Sequence, residues 1–146
     1  MRRVIEWFLG VVGAAITTCI AAIFAQQQSS VQAPGESLWP LPGVVLLEIA
    51  LLGLIGLVAV ALDNVEHARY LGVLTWAVVG ALISLMFLGI FSVGPFLFPA
   101  VLAFSVAAVL ADRRRGRRSA SNLGLAAVIM VANGVLLIVL IALTRA

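Results

Sequence analysis

From Tyr70 to Ala111 the chain runs for 42 residues without a charged side chain. As one helix this run would be about 63 Å long, roughly twice the hydrocarbon thickness of a bilayer. It must therefore fold back on itself. The segment FSVGPFLFP (91–99) supplies the place. Gly94 permits an irregular turn, and Pro95 suits the first turn of a new helix, where its missing N–H would have no partner anyway. Pro99 follows four residues later, so an irregular first turn is expected. The run reads as two spans, 70–91 and 95–111.

A chain with such a run is not an ordinary soluble domain. Its 146 residues are 64% apolar and 10% charged, whereas soluble domains are about 45–50% apolar and about 25% charged. Three further runs, 4–25, 44–62 and 122–143, match the length of a membrane-crossing helix. The expected fold is all-α: a polytopic integral membrane bundle of five transmembrane helices, forming a single membrane domain over 1–146. Between the spans lie an outer loop, 26–43, and two cytoplasmic loops, 63–69 and 112–121. Pro34, Pro40 and Pro42, with Gly35 and Gly43, mark the outer segment as a loop too short for a core of its own. The first run resembles a secretory signal, but cleavage after Ala25 would place Ile23 where a small residue is needed. An uncleaved first helix is expected.

The loudest polar signal is ADRRRGRRSASN (111–122). With five spans, one side receives Arg2, Arg3, Arg69, Arg113, Arg114, Arg115, Arg117 and Arg118, and the other only Arg145. The bias of basic residues toward the cytoplasm then puts the N-terminus inside and the C-terminus outside. The cluster reads as a topological anchor that also contacts anionic lipid headgroups, with docking of a cytoplasmic partner as a lesser possibility. Nucleic-acid binding is not expected, because neither aromatic nor base-reading groups accompany the arginines. All nine basic residues are arginine. Together with heavy use of Ala, Val, Leu and Gly, this resembles bacterial coding, and the expected location is the bacterial cytoplasmic (inner) membrane.

Ionisable and amide groups inside spans are candidate functional residues. Glu48 lies about five residues into the second span, roughly 7 Å deep. It is either a proton- or cation-responsive carboxylate, with Arg145 as a conceivable partner, or a carboxyl satisfied near the outer interface. Asn133 falls near the middle of the fifth span, where an amide commonly links two helices. The two are expected at different depths and apart. Glu6 is expected to pair with Arg2 and Arg3 on its own helical face. Thr17, Thr18, Thr75 and Ser84 can bond their own helix backbones. His67 is read as solvated, and Trp7, Trp39 and Tyr70 as interfacial anchors.

Small residues recur at three- or four-residue intervals: Gly10 with Gly13, Ala50–Gly53–Gly56–Ala59, Gly80 with Ser84, and Ala103–Ala107–Ala111. Such positions let helix backbones approach closely in lipid, within one bundle or toward a partner. Cys19 is the one cysteine and His67 the one histidine, which leaves no thiolate zinc site, no intramolecular disulfide and no hydrolytic triad. No catalytic, cofactor-binding or metal residues are assigned, and enzymatic activity is not expected. The leading expectation is an accessory, assembly or structural subunit that acts through contacts with other membrane-protein helices, its own or those of a complex. The alternative is a small transporter or channel using Glu48 and Asn133.

Overall fold

The computed structural model describes residues 2–31, 43–62, 71–116 and 119–145. They form five helices, α1 (Arg2–Val31), α2 (Gly43–Leu62), α3 (Leu71–Leu88), α4 (Gly94–Arg114) and α5 (Ser119–Arg145). No strand occurs among the described residues. Stretches within α1, α2, α4 and α5 are long and apolar enough to cross a membrane, and α3 is shorter.

The first four helices close into a ring, with α1 against α2 and α4, and α3 against the same two. α5 stands outside the ring and packs on α3. Neighbours in the ring are antiparallel. Gly10 near the start of α1 faces Val60 near the end of α2. Glu6 meets Arg114 at the end of α4, and the Phe24 and Phe96 rings lie 5.8 Å apart at the opposite end. The starts of α1, α3 and α5 therefore share one end with the finishes of α2 and α4. Because Arg113–Arg115 lie there, it is called the arginine end below.

Close approach of the helices rests on glycine. The Phe104 ring, fully buried on α4, fills a notch cut by glycines on two other helices. A Cβ on Gly13 of α1 would come within 2.7 Å of this ring, and one on Gly56 of α2 within 2.5 Å. Gly53 faces Thr17 in the same way. Thr17 turns its hydroxyl back to the carbonyls of Gly13 and Ala14 (3.2 and 2.9 Å), so it is satisfied within its own helix. On the other flank, Gly80 of α3 lies against the backbone of Ala126 of α5. The recurrent small residues thus serve crossings inside the bundle. Ile49, Leu82, Leu85 and Leu97 fill the remaining core.

Several boundaries differ from the sequence reading. α1 continues through Gln26–Val31, residues assigned to the outer loop. Glutamine is a good helix former, and Ser29 and Ser30 bond back to the carbonyls of Gln26 and Gln27. α3 ends at Leu88 rather than Phe91, and the turn closes through Gly94 N–H on the Gly89 carbonyl at 2.7 Å. α4 is helical from Gly94 with Pro99 inside it, not irregular in its first turn. That helix runs on through Arg114, and α5 starts at Ser119, so the 112–121 connection is mostly helix. Gly116, at φ 63°, breaks the chain after Arg115. The polar part of 26–43 beyond Val31, the 63–69 connection, Arg117 and Arg118 lie outside the described residues, as do Trp39, His67 and Tyr70.

Replacing Gly80 with alanine sets a methyl against rigid backbone, and overpacking of this kind costs about 1–3 kcal/mol. Gly124→Ala, where nothing lies within 4 Å, should cost nothing. Thermal unfolding of both variants in detergent micelles checks this, and equal loss in the two would contradict the assigned α3–α5 crossing.

Candidate functional site

Two polar assemblies interrupt the apolar packing, one at the middle of α5 and one near its start. The first joins the two residues singled out in the spans. Asn133 Nδ2 donates to Glu48 Oε1 at 2.8 Å, linking α5 to α2. Both side chains are half-buried. The expectation that they lie apart at different depths is therefore corrected. The side chains span from α5 to α2 even though α5 rests mainly on α3. Glu48 has Asn133 as its partner, and the side chain of Arg145 lies outside the described residues.

The second assembly was not legible as a site. Asp112, assigned to a loop, is 1% exposed in the last turns of α4. Its carboxylate accepts from Trp76 Nε1 of α3 at 3.0 Å and from Asn122 Nδ2 of α5, at 3.0 Å to each oxygen. One carboxylate therefore fastens three helices. Beside it, Arg114 Nη2 lies 3.1 Å from Glu6 Oε2, which ties α4 to α1. Glu6 is 3% exposed. Beyond the expected neighbours Arg2 and Arg3, it thus meets a partner from another helix, and the side chain of Arg2 lies outside the described residues. A buried carboxylate is costly unless it is paired or hydrogen-bonded; Asp112 is met by neutral donors on both oxygens, and Glu6 by the Arg114 guanidinium on Oε2.

A signal for Asp112 was present. The buried face of α4 steps through Leu97, Val101, Phe104, Ala108 and Asp112, so the carboxylate continues a core stripe rather than opening a loop. Trp76 is likewise buried, and a buried indole N–H requires an acceptor.

The end of α4 separates the described arginines of the cluster. Successive residues on a helix turn by about 100°, so Arg114 faces α1 while Arg113 is exposed on another side. Arg115 caps the helix, its N–H reaching the carbonyls of Ala111 and Asp112 at 3.1 Å. Between α3, α4 and α5 an apolar groove of about 410 Å³ starts at Trp76 and Leu123 and extends to Ile83 and Met130. Among the described residues no three His, Cys, Asp or Glu side chains gather as a metal site.

Long apolar helices around sparse, mutually satisfied polar links define a multi-pass membrane protein. Comparison with protein-family models, with curated proteins and with solved structures finds no match.

Asp112→Ala strands the buried Trp76 donor, at a cost of about 1–3 kcal/mol, and the half-buried Asn122 donor, whereas Trp76→Phe removes one donor and leaves Asn122 on the carboxylate. Denaturant titration in micelles should therefore show the larger loss for Asp112→Ala. A loss no greater than that of Trp76→Phe would contradict the clamp.

Proposed function

We propose that the chain is a five-span protein of the bacterial cytoplasmic membrane, N-terminus inside and C-terminus outside, acting as an accessory, assembly or structural subunit through helix–helix contacts. The observation that carries this reading is the position of α5. It packs on one flank of a ring that closes without it, and Val128, Val131, Val135, Leu136, Ile138 and Val139 are exposed along it. A helix placed so offers a broad apolar face to another membrane helix.

The orientation is supported by the alternation of helix directions, which gathers Arg3, Arg113, Arg114 and Arg115 at one end. Basic residues on that side favour the cytoplasm. In this reading the exposed arginines contact anionic headgroups, and Arg114 spends its charge on Glu6. The polar groups of the bundle are used as joints: Asp112 and Glu48 each hold α5 to a different ring helix.

The adjacency of Glu48 and Asn133 favours one second reading, a small transporter or channel in which this pair lines a path. Against it stands the apolar lining of the described cavities, where Ser105 is the only polar side chain besides the Trp76 indole.

Glu48→Gln separates the two. It keeps the shape and a hydrogen-bonding oxygen for Asn133 but cannot exchange the carboxyl proton. In vesicles reconstituted with wild type and variant, the subunit reading expects equal assembly and no proton flux from either. Wild-type flux that vanishes in the variant would overturn it in favour of transport.

A further inference from the structure

We propose that the α3–α4–α5 groove is a discrete site for one anionic phospholipid, with its phosphate on Arg113 and an acyl chain lying between Trp76 and Met130. The proposal rests on the reading of the arginine cluster as a headgroup contact and narrows it to one arginine and one groove.

Three observations converge on it. The groove is apolar and open along the outer side of the bundle, lined by Val79 and Ile83 of α3, Ser105 of α4, and Leu123 and Met130 of α5. From Trp76 to Ile83 it extends about 10 Å along α3 at 1.5 Å per residue, enough for the upper part of an acyl chain in hydrocarbon about 30 Å thick. On α4, Ser105, Val109 and Arg113 succeed one another at four-residue intervals, which places them on neighbouring turns of one helical face. Val109 packs on the Trp76 cluster that forms the groove's arginine end. Arg113, one turn beyond it, is exposed and stands at the rim.

The third observation concerns charge. Anything held at the arginine end of the groove meets the buried Asp112 carboxylate, which would repel an anion if it were bare. It is instead covered by the Trp76 and Asn122 donors and is 1% exposed. Arg114 is directed to Glu6 on the far side. Among the described arginines of the cluster Arg113 is the exposed one, and its planar guanidinium suits bidentate contact with a phosphate. Acyl chain below and phosphate above match the two chemistries of a phospholipid, and the positive rim selects an anionic one.

The test is native mass spectrometry of the intact protein from detergent, titrated with phosphatidylglycerol or with phosphatidylcholine of the same chains. The wild type should retain one phosphatidylglycerol in preference to phosphatidylcholine. Arg113→Gln should reduce that retention about tenfold and abolish the preference. Ser105→Phe, which fills the groove without touching the charge, should reduce retention of the same lipid, with circular dichroism confirming that the helices persist. A phosphatidylglycerol bearing a diazirine in its acyl chain should label Leu123 or Met130, giving a readout independent of both variants. Arg113, Arg115, Arg117 and Arg118 changed together to Gln, with Arg114 kept, form the control. If that control loses the lipid while Arg113→Gln and Ser105→Phe keep it, the headgroup reading stands and the discrete site is overturned. If the control also keeps it, both are overturned. Equal retention of the two lipids, or a dimer whose interface excludes the label from the groove, would likewise overturn the site.

Discussion

Lipid gives apolar side chains no reason to leave it, so a bundle dissolved in lipid must be held by close packing and by a few polar joints. The Phe104 notch meets that constraint most fully. One aromatic ring from α4 is buried where α1 and α2 have lost their side chains at Gly13 and Gly56. Three helices thereby approach within reach of dispersion forces, which are small for each atom pair and large for a whole ring. Gly53 against Thr17 extends the same seam along α1 and α2. The ring of four helices follows from this seam, and α3 closes it with the buried side chains Val78, Val79, Leu82 and Leu85.

α5 is attached by different means. Besides its packing on α3, where Gly80 meets the Ala126 backbone and Leu137 enters the core, it has two polar fastenings: Asn122 on Asp112 near the arginine end, and Asn133 on Glu48 further along. Two such bonds define a direction as well as a contact. One reaches α4 and the other α2, so α5 is tied to two ring helices besides α3. A helix secured by two hydrogen-bonded joints and otherwise apolar keeps most of its surface for lipid or for another helix. That division of labour underlies the functional reading.

Much of the fold was legible because it depends on lengths. The uncharged run 70–111 had to turn, and it turns at Gly89–Gly94, where the sequence placed the break to within a few residues. The spacing of small residues announced close crossings, although spacing alone does not tell which helix each glycine meets. Glu48 and Asn133 were visible as polar residues in apolar runs. Their union was not, because depth was counted along separate helices, and such a count does not tell which helices meet. The contact of Glu6 with Arg114 was hidden for a similar reason: local spacing is readable, while Arg114 is brought to it by the ring. Asp112 was hidden by its company. Set among arginines it resembled loop, although its place on the buried stripe of α4 makes it a core residue.

The account depends on α5 being a true fifth crossing rather than a helix lying along the membrane surface, since its joints to α4 and α2 sit at different heights on the bundle. Reporter fusions at Ser119 and Ala146, which respond on opposite sides of the membrane, test this directly. The account predicts a cytoplasmic signal from Ser119 and an external signal from Ala146. Cytoplasmic signals from both positions would contradict it.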